Sequence, residues 1–158
     1  MDGGTTLFAY GTLMLPEVFR EVTGEDLPGE SARAVGYHRS LLSGKIYPGM
    51  LADPHSVTEG VLYHGVSADS MAWLERFEDK LYERSWITVQ DSAGRSCAAF
   101  AYIVPEHAAQ VLSAEPWDTA AFRVQHLASY LERCRKFRRH GGWWAGDGMR
   151  QEPALDGD

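Results

Sequence analysis

Cysteine is nearly absent from this chain: among its 158 residues only Cys97 and Cys134 are cysteines. They lie far apart and in no CxxC spacing, which excludes a disulfide framework and a thiolate zinc site and leaves reduced, buried thiols as the expectation. Basic residues are scarce beside acidic ones, 15 against 22, for a net charge of -7. Affinity for a phosphate backbone comes from Lys and Arg displacing counterions, so nucleic acid is not an expected partner. No run approaches the roughly 18 apolar residues that a membrane-spanning helix needs, and the opening MDGGTTLFAY has no basic stretch leading into an apolar one. A membrane is therefore not expected as a partner, and a cytoplasmic location is. The six histidines, His38, His55, His64, His107, His126 and His140, include no pair at the four-residue spacing that puts two imidazoles on one helix face, so no metal is expected. GxSxG, GxGxxG after a strand and GxxxxGK[ST] are missing too, which removes the local geometry of the common hydrolase, dinucleotide and nucleotide sites.

What is present suits one core: 44% of the residues are hydrophobic, in a length usual for a single domain. Residues 1–146 read as that domain, and 147–158, with little apolar content, as a flexible tail. TTLFAY (Thr5 to Tyr10) reads as a strand that stops at Gly11, and Pro16 and Gly24 bracket a short helix over 16–23. Glycines and prolines then break the chain from Gly29 to Pro54, predicting short strands at ARAVGYH and SLLSG and a turn at KIYPGML. VTEGVLYHGV (57–66) reads as a strand. Ser67 can cap a helix that carries Met71, Leu74 and Phe77 on one stripe and ends close to Glu78.

RSWITVQ alternates Ile87 and Val89 against Trp86, Thr88 and Gln90, and SAGR joins it to SCAAFAYIV as a hairpin. A longer helix over about 118–140 follows, with Val124, Leu127, Leu131 and Cys134 as its apolar stripe and Gly141 and Gly142 at its end. The fold class is α+β: a small mixed or antiparallel sheet, curled toward a barrel, with flanking helices and an appended C-terminal helix. The run RCRKFRRH (133–140) reads as a solvated helix face whose cations complement the helix dipole, and Trp143 and Trp144 as packing at the helix end.

Two places combine local structure with chemistry. In FAYGTLM the chain turns at Gly11, where a ligand can approach the backbone and successive N–H groups can hold a carboxylate or a polarised carbonyl; an ordinary tight turn has the same sequence. In LERFEDKLYER, Glu78 follows Phe77 at a helix end. It is either a solvated charge pairing with Arg76 or Lys80, or a carboxylate whose apolar surroundings raise its pKa into the range of a neutral-pH base. The spacing permits both.

FAYGTLM, YPGML (47–51), EGVLYHGV (59–66), LERFEDKLYER (74–84) and AFAYIV occur in the order and approximate spacing of the gamma-glutamylcyclotransferase-like superfamily, which the chain resembles over about residues 5–104. PWDTAAFRVQHLASYL is similar to the helix appended in its plant avirulence-induced branch. The resemblance implies a barrel-like mixed sheet whose pocket sets the YGTL loop against one acidic residue. It assigns Tyr10, Gly11, Thr12 and Leu13 to substrate binding, Glu78 to catalysis, Tyr82 and Arg84 to anchoring near the site, and a further hydroxyl in the pocket to Tyr102. Most relatives carry Gly where this chain has Asp79, a difference that bears on the substrate.

The implied reaction closes a γ-glutamyl amide on itself: the α-amine attacks the γ-carbonyl, and 5-oxoproline and a free amine leave. The substrate supplies its own nucleophile, so no cofactor or metal is required, and Glu78 carries the proton as general acid and base. An unperturbed Glu, with a pKa of about 4.3, is too weak a base, so the scheme needs Glu78 indoors. The implied partner is a small γ-glutamyl amine or peptide. The alternative reading is a non-catalytic protein of the same fold that binds a small ligand or acts through partners in a stress response.

Overall fold

The first strand, β1 (Thr5–Ala9), is buried along its last three residues and leads through a short 3-10 turn at Thr12–Met14 into helix α1 (Pro16–Thr23). Pro16 enters at the first helical turn, where its missing N–H costs nothing, and Gly24 takes the left-handed cap with φ 78°. In this computed structural model residues 4–142 are described; the expected tail and Trp143 and Trp144 lie outside them.

Strands β2 (Gly29–Leu41) and β3 (Pro48–Val66) form a long antiparallel pair. ARAVGYH and SLLSG are thus one strand rather than two. Gly36, with φ 91°, lets β2 bend through a register shift between Val35 and Tyr37 without ending it. The expected turn at KIYPGML is a turn only as far as Tyr47. Pro48, which has no N–H to donate, opens β3, and Met50 is buried and accepts the Val104 N–H at 2.9 Å.

Helix α2 (Ala68–Phe77) is capped by Ser67, whose hydroxyl accepts the Ser70 N–H at 3.1 Å. It buries Met71, Leu74 and Phe77, as the stripe predicted. The hairpin β4 (Glu83–Gln90) and β5 (Ser96–Ile103) follows, with Ile87 and Val89 inside and Trp86 outside. The five strands close in the order β1-β3-β2-β4-β5 through a parallel contact of β5 on β1, so the sheet is mixed and has no free edge.

Alternation along the strands gives two apolar clusters. Phe8, Met50, Leu62, Ile87 and Val89 pack with Ala32, Ala34, Ala99 and Ala101, small residues that let five strands close around large ones. Gly60 serves the same closure, since a Cβ there would stand 2.5 Å from the Ala9 carbonyl oxygen and from the Phe8 ring. On the other face, Leu7, Tyr63 and Val66 meet the helices through Phe19, Leu74, Cys134 and Phe137.

The C-terminal helix is two helices, α3 (Thr119–Gln125) and α4 (Leu127–Arg139), broken at His126 with φ -131° and ψ -17°. The break changes the buried stripe. Val124 is 86% exposed, while Phe122, Tyr130, Cys134 and Phe137 are buried, because the aromatic rings offer more surface to the barrel-facing core than Val124 does. The basic run is held largely by neighbours: Arg135 pairs with Glu21 and Glu132, and Arg138 and Arg76 lie over the Trp73 ring at 4.5 and 4.3 Å.

Asp118 begins α3 by accepting the Ala120 and Ala121 N–H groups. Asp118→Ala is expected to lower unfolding stability by about 1 kcal/mol in chemical denaturation, the usual contribution of such a cap. An unchanged midpoint would show that packing of Phe122 alone holds the helix start.

Candidate functional site

One cleft gathers the catalytic and substrate-binding candidates singled out from the sequence. It is lined by Leu7–Leu13 from β1 and its turn, Tyr47 and Pro48 at the start of β3, Phe77–Asp79 at the end of α2, Tyr82, Tyr102 of β5 and Tyr130 of α4. Helix α2 stops at Phe77. Glu78 is extended, with φ -68° and ψ 145°, its N–H still closing the last turn onto the Leu74 carbonyl at 2.9 Å. This change of direction carries Glu78, half-buried, to the cleft wall beside buried Phe77.

Opposite runs the turn after β1. Gly11 lies under Pro48, and a Cβ at this position would come 3.0 Å from the proline ring, so the absence of a side chain lets the two segments approach. The Tyr10 carbonyl accepts an N–H of Arg39 at 2.8 Å, and the Leu13 carbonyl accepts the Tyr63 hydroxyl at 2.7 Å, which fixes the turn from both sides. Thr12 and Leu13 are buried.

Asp79 is the main surprise in LERFEDKLYER. It is 6% exposed and bound at both oxygens: Oδ2 accepts the Tyr47 hydroxyl at 2.6 Å and Oδ1 the Leu81 N–H at 3.0 Å. The Lys45 ammonium lies 4.0 Å from Oδ2. Its backbone carbonyl accepts the Tyr82 N–H, so Asp79 organises the turn that follows Glu78. A glycine could not supply these side-chain contacts.

The other predicted positions fall as follows. Tyr82 lines the cleft and donates its hydroxyl to the Pro48 carbonyl. Arg84 lies over the Phe100 ring and 3.3 Å from Glu75, outside the lining. Tyr102 contributes its ring, but its hydroxyl donates to Glu75 at 2.8 Å. Glu75, Arg76, Lys80 and Glu83 are exposed as expected, although Glu75 is engaged by both Tyr102 and Arg84.

Two of the lining tyrosines carried no predicted role. Tyr47 stands inside the quoted YPGML motif, which was a usable signal. Tyr130 had only its place on a helix, 118 residues from Thr12, with which it shares a hydrogen bond. Burial first, and the Glu78 charge in addition, hold the phenols of Tyr10, Tyr47, Tyr82, Tyr102 and Tyr130 above the ordinary tyrosine range. All five stay protonated near neutral pH, which leaves the two carboxylates as the cleft's candidate bases.

A closed five-stranded mixed barrel with flanking helices is the architecture of the gamma-glutamylcyclotransferase-like class of small α+β proteins. The profile of the family described as gamma-glutamyl cyclotransferase, AIG2-like, matches residues 7–119, and the chain belongs to that family. It is 26% identical over 142 residues to AIG2-like protein D of Arabidopsis thaliana, spanning 87% of this chain and 93% of that protein. With AIG2-like protein C of the same plant it shares 28% identity over 132 residues, 83% and 76% of the two chains. Among solved structures, an Arabidopsis thaliana protein superposes with a TM-score of 0.64 at 23% identity, covering 94% of this chain and 89% of that one. A structure titled gamma-glutamyl cyclotransferase gives 0.53 at 17% identity, covering 64% and 66%. These likenesses show the gamma-glutamylcyclotransferase-like fold.

Proposed function

We propose that this protein is a γ-glutamyl cyclotransferase acting on a small γ-glutamyl amine or peptide, with Glu78 as the proton carrier. The observation that carries this reading is that Glu78 and the turn Tyr10–Leu13, which come from opposite ends of the chain's first half, line one cleft. The α-amine nitrogen forms a bond to the γ-carbonyl carbon, the bond from that carbon to the amide nitrogen breaks, and a five-membered lactam and a free amine result. Glu78 takes a proton from the α-ammonium group and returns one to the departing nitrogen. Backbone N–H groups of the turn offer donors to the carboxylate or to the oxygen that gains charge. Holding amine and carbonyl in contact supplies much of the acceleration, since reactions between groups so oriented gain effective molarities of about 10⁵ M or more.

The buried phenols and Phe77 support the reading from another side, because they keep bulk water from the reacting atoms while remaining uncharged. The test is a panel of γ-glutamyl-ε-lysine, γ-glutamyl dipeptides and glutathione, incubated with purified protein and assayed for 5-oxoproline. Release from at least one is expected. Ligand-induced thermal stabilisation without product from any member would overturn the catalytic reading in favour of a binding protein.

A further inference from the structure

A count of hydroxyl protons in the cleft separates one pair from the rest. Each phenol has a single O–H to donate. Tyr10 gives its own to the Tyr102 carbonyl, Tyr47 to Asp79, Tyr82 to the Pro48 carbonyl and Tyr102 to Glu75. Those four are spent within the protein. Thr12 Oγ1 and the Tyr130 hydroxyl lie 3.3 Å apart and share one hydrogen bond, in which either can donate. Two hydroxyls hold two protons and this bond uses one, so one O–H of the pair remains. Neither hydroxyl has another hydrogen-bond partner among the described residues, and the two residues are 7% and 5% exposed. Both line the cleft that Glu78 lines.

A buried donor without an acceptor costs free energy, which an occupant of the cleft can recover. We infer that the Thr12–Tyr130 hydroxyl pair is a substrate-binding element, whose uncommitted O–H takes a carboxylate or carbonyl oxygen of the γ-glutamyl group. Helix α4 then belongs to the substrate site, although Tyr130 lies beyond the family match at residues 7–119. The Tyr130 ring is fixed for this task by edge contacts with Phe77 and Phe122, at centroid distances of 6.3 and 5.2 Å. This inference rests on the γ-glutamyl reading of the cleft.

The decisive variant is the double substitution Thr12→Val with Tyr130→Phe. Replacing both partners of a buried hydrogen bond by apolar groups of the same shape is close to neutral for folding, so the melting temperature should hold. Binding of 5-oxoproline, which carries both kinds of oxygen, is measured by calorimetry on the full chain and should weaken about 10- to 100-fold, the usual loss of a hydrogen bond to a charged acceptor. One single variant should reproduce most of the loss, because only one of the two hydroxyls faces the ligand. In turnover, a rise in KM alone assigns the bond to the carboxylate, and a fall in kcat assigns it to the oxygen that gains charge.

Binding unchanged in the double variant overturns the inference. Binding by the wild type without turnover, lost in the double variant, overturns the proposed reaction and leaves this site standing. A wild type that neither binds nor releases 5-oxoproline overturns both, and where it releases 5-oxoproline without binding it, unchanged KM and kcat in the double variant overturn the inference alone.

Discussion

Glu78→Gln is expected to reduce 5-oxoproline release by about 10³-fold or more, within the range that a positioned acid–base group contributes. The substitution keeps the side chain's shape and hydrogen-bonding reach while removing its ability to accept the ammonium proton. Its neighbours in the chain are held independently, Phe77 by the core and Asp79 by Tyr47 and Leu81, so the fold should survive. The melting temperature is expected within about 2 °C of wild type, a shift corresponding to less than 1 kcal/mol in a chain of this size. The loss should sit in kcat, because the interaction is made during proton transfer and not on binding. None of the five tyrosines can take over, since burial, the largest cause in each, keeps their phenols protonated even after the Glu78 charge is removed. Full activity in Glu78→Gln would assign the base elsewhere, with Asp79 the next carboxylate in the lining.

Asp79→Ala is expected to act on stability as strongly as Glu78→Gln acts on turnover. Truncation leaves the Tyr47 hydroxyl and the Leu81 N–H without their acceptor, and removes the negative charge nearest to Lys45. An unsatisfied buried donor costs about 1–3 kcal/mol, so a loss of about 3 kcal/mol is expected, read as a fall of about 10 °C in melting temperature. Turnover should also drop, by about 10-fold or more, because a freed turn no longer holds Glu78 at the cleft wall; misplacements of about 1 Å are costly in oriented reactions. Asp79→Asn keeps a carbonyl acceptor for one of the two donors and should recover part of both losses. Wild-type stability in Asp79→Ala would mean that the turn is held by its backbone bonds alone.

Much of the architecture was legible because local patterns and global fold agree in it. Alternation marked Ile87 and Val89 as inward, helical spacing marked Met71, Leu74 and Phe77, and Pro16 with Gly24 bounded α1. The misreadings lie where local signals compete with long-range pairing. The glycines and prolines of 29–54 look like interruptions, yet β2 and β3 run through Gly36 and start at Pro48, since antiparallel pairing outweighs the weak local preference. The helix break at His126 and the shift of the stripe from Val124 to Phe122 and Tyr130 depend on which side of the helix meets the barrel, a tertiary matter.

By itself the sequence determined the kind of fold this is, an α+β barrel, the order of its motifs, and Glu78 with the Gly11 turn as the pieces to watch. It did so because strand alternation, helix caps and turn glycines act over a few residues, and so are written contiguously. Only the tertiary structure decided that Glu78 and the turn line one cleft, that Asp79 is a buried anchor, and that Tyr130 from the far end of the chain completes the wall. Burial and hydrogen bonding depend on which residues barrel closure and helix packing bring together, and residues 118 apart carry no local trace of that meeting.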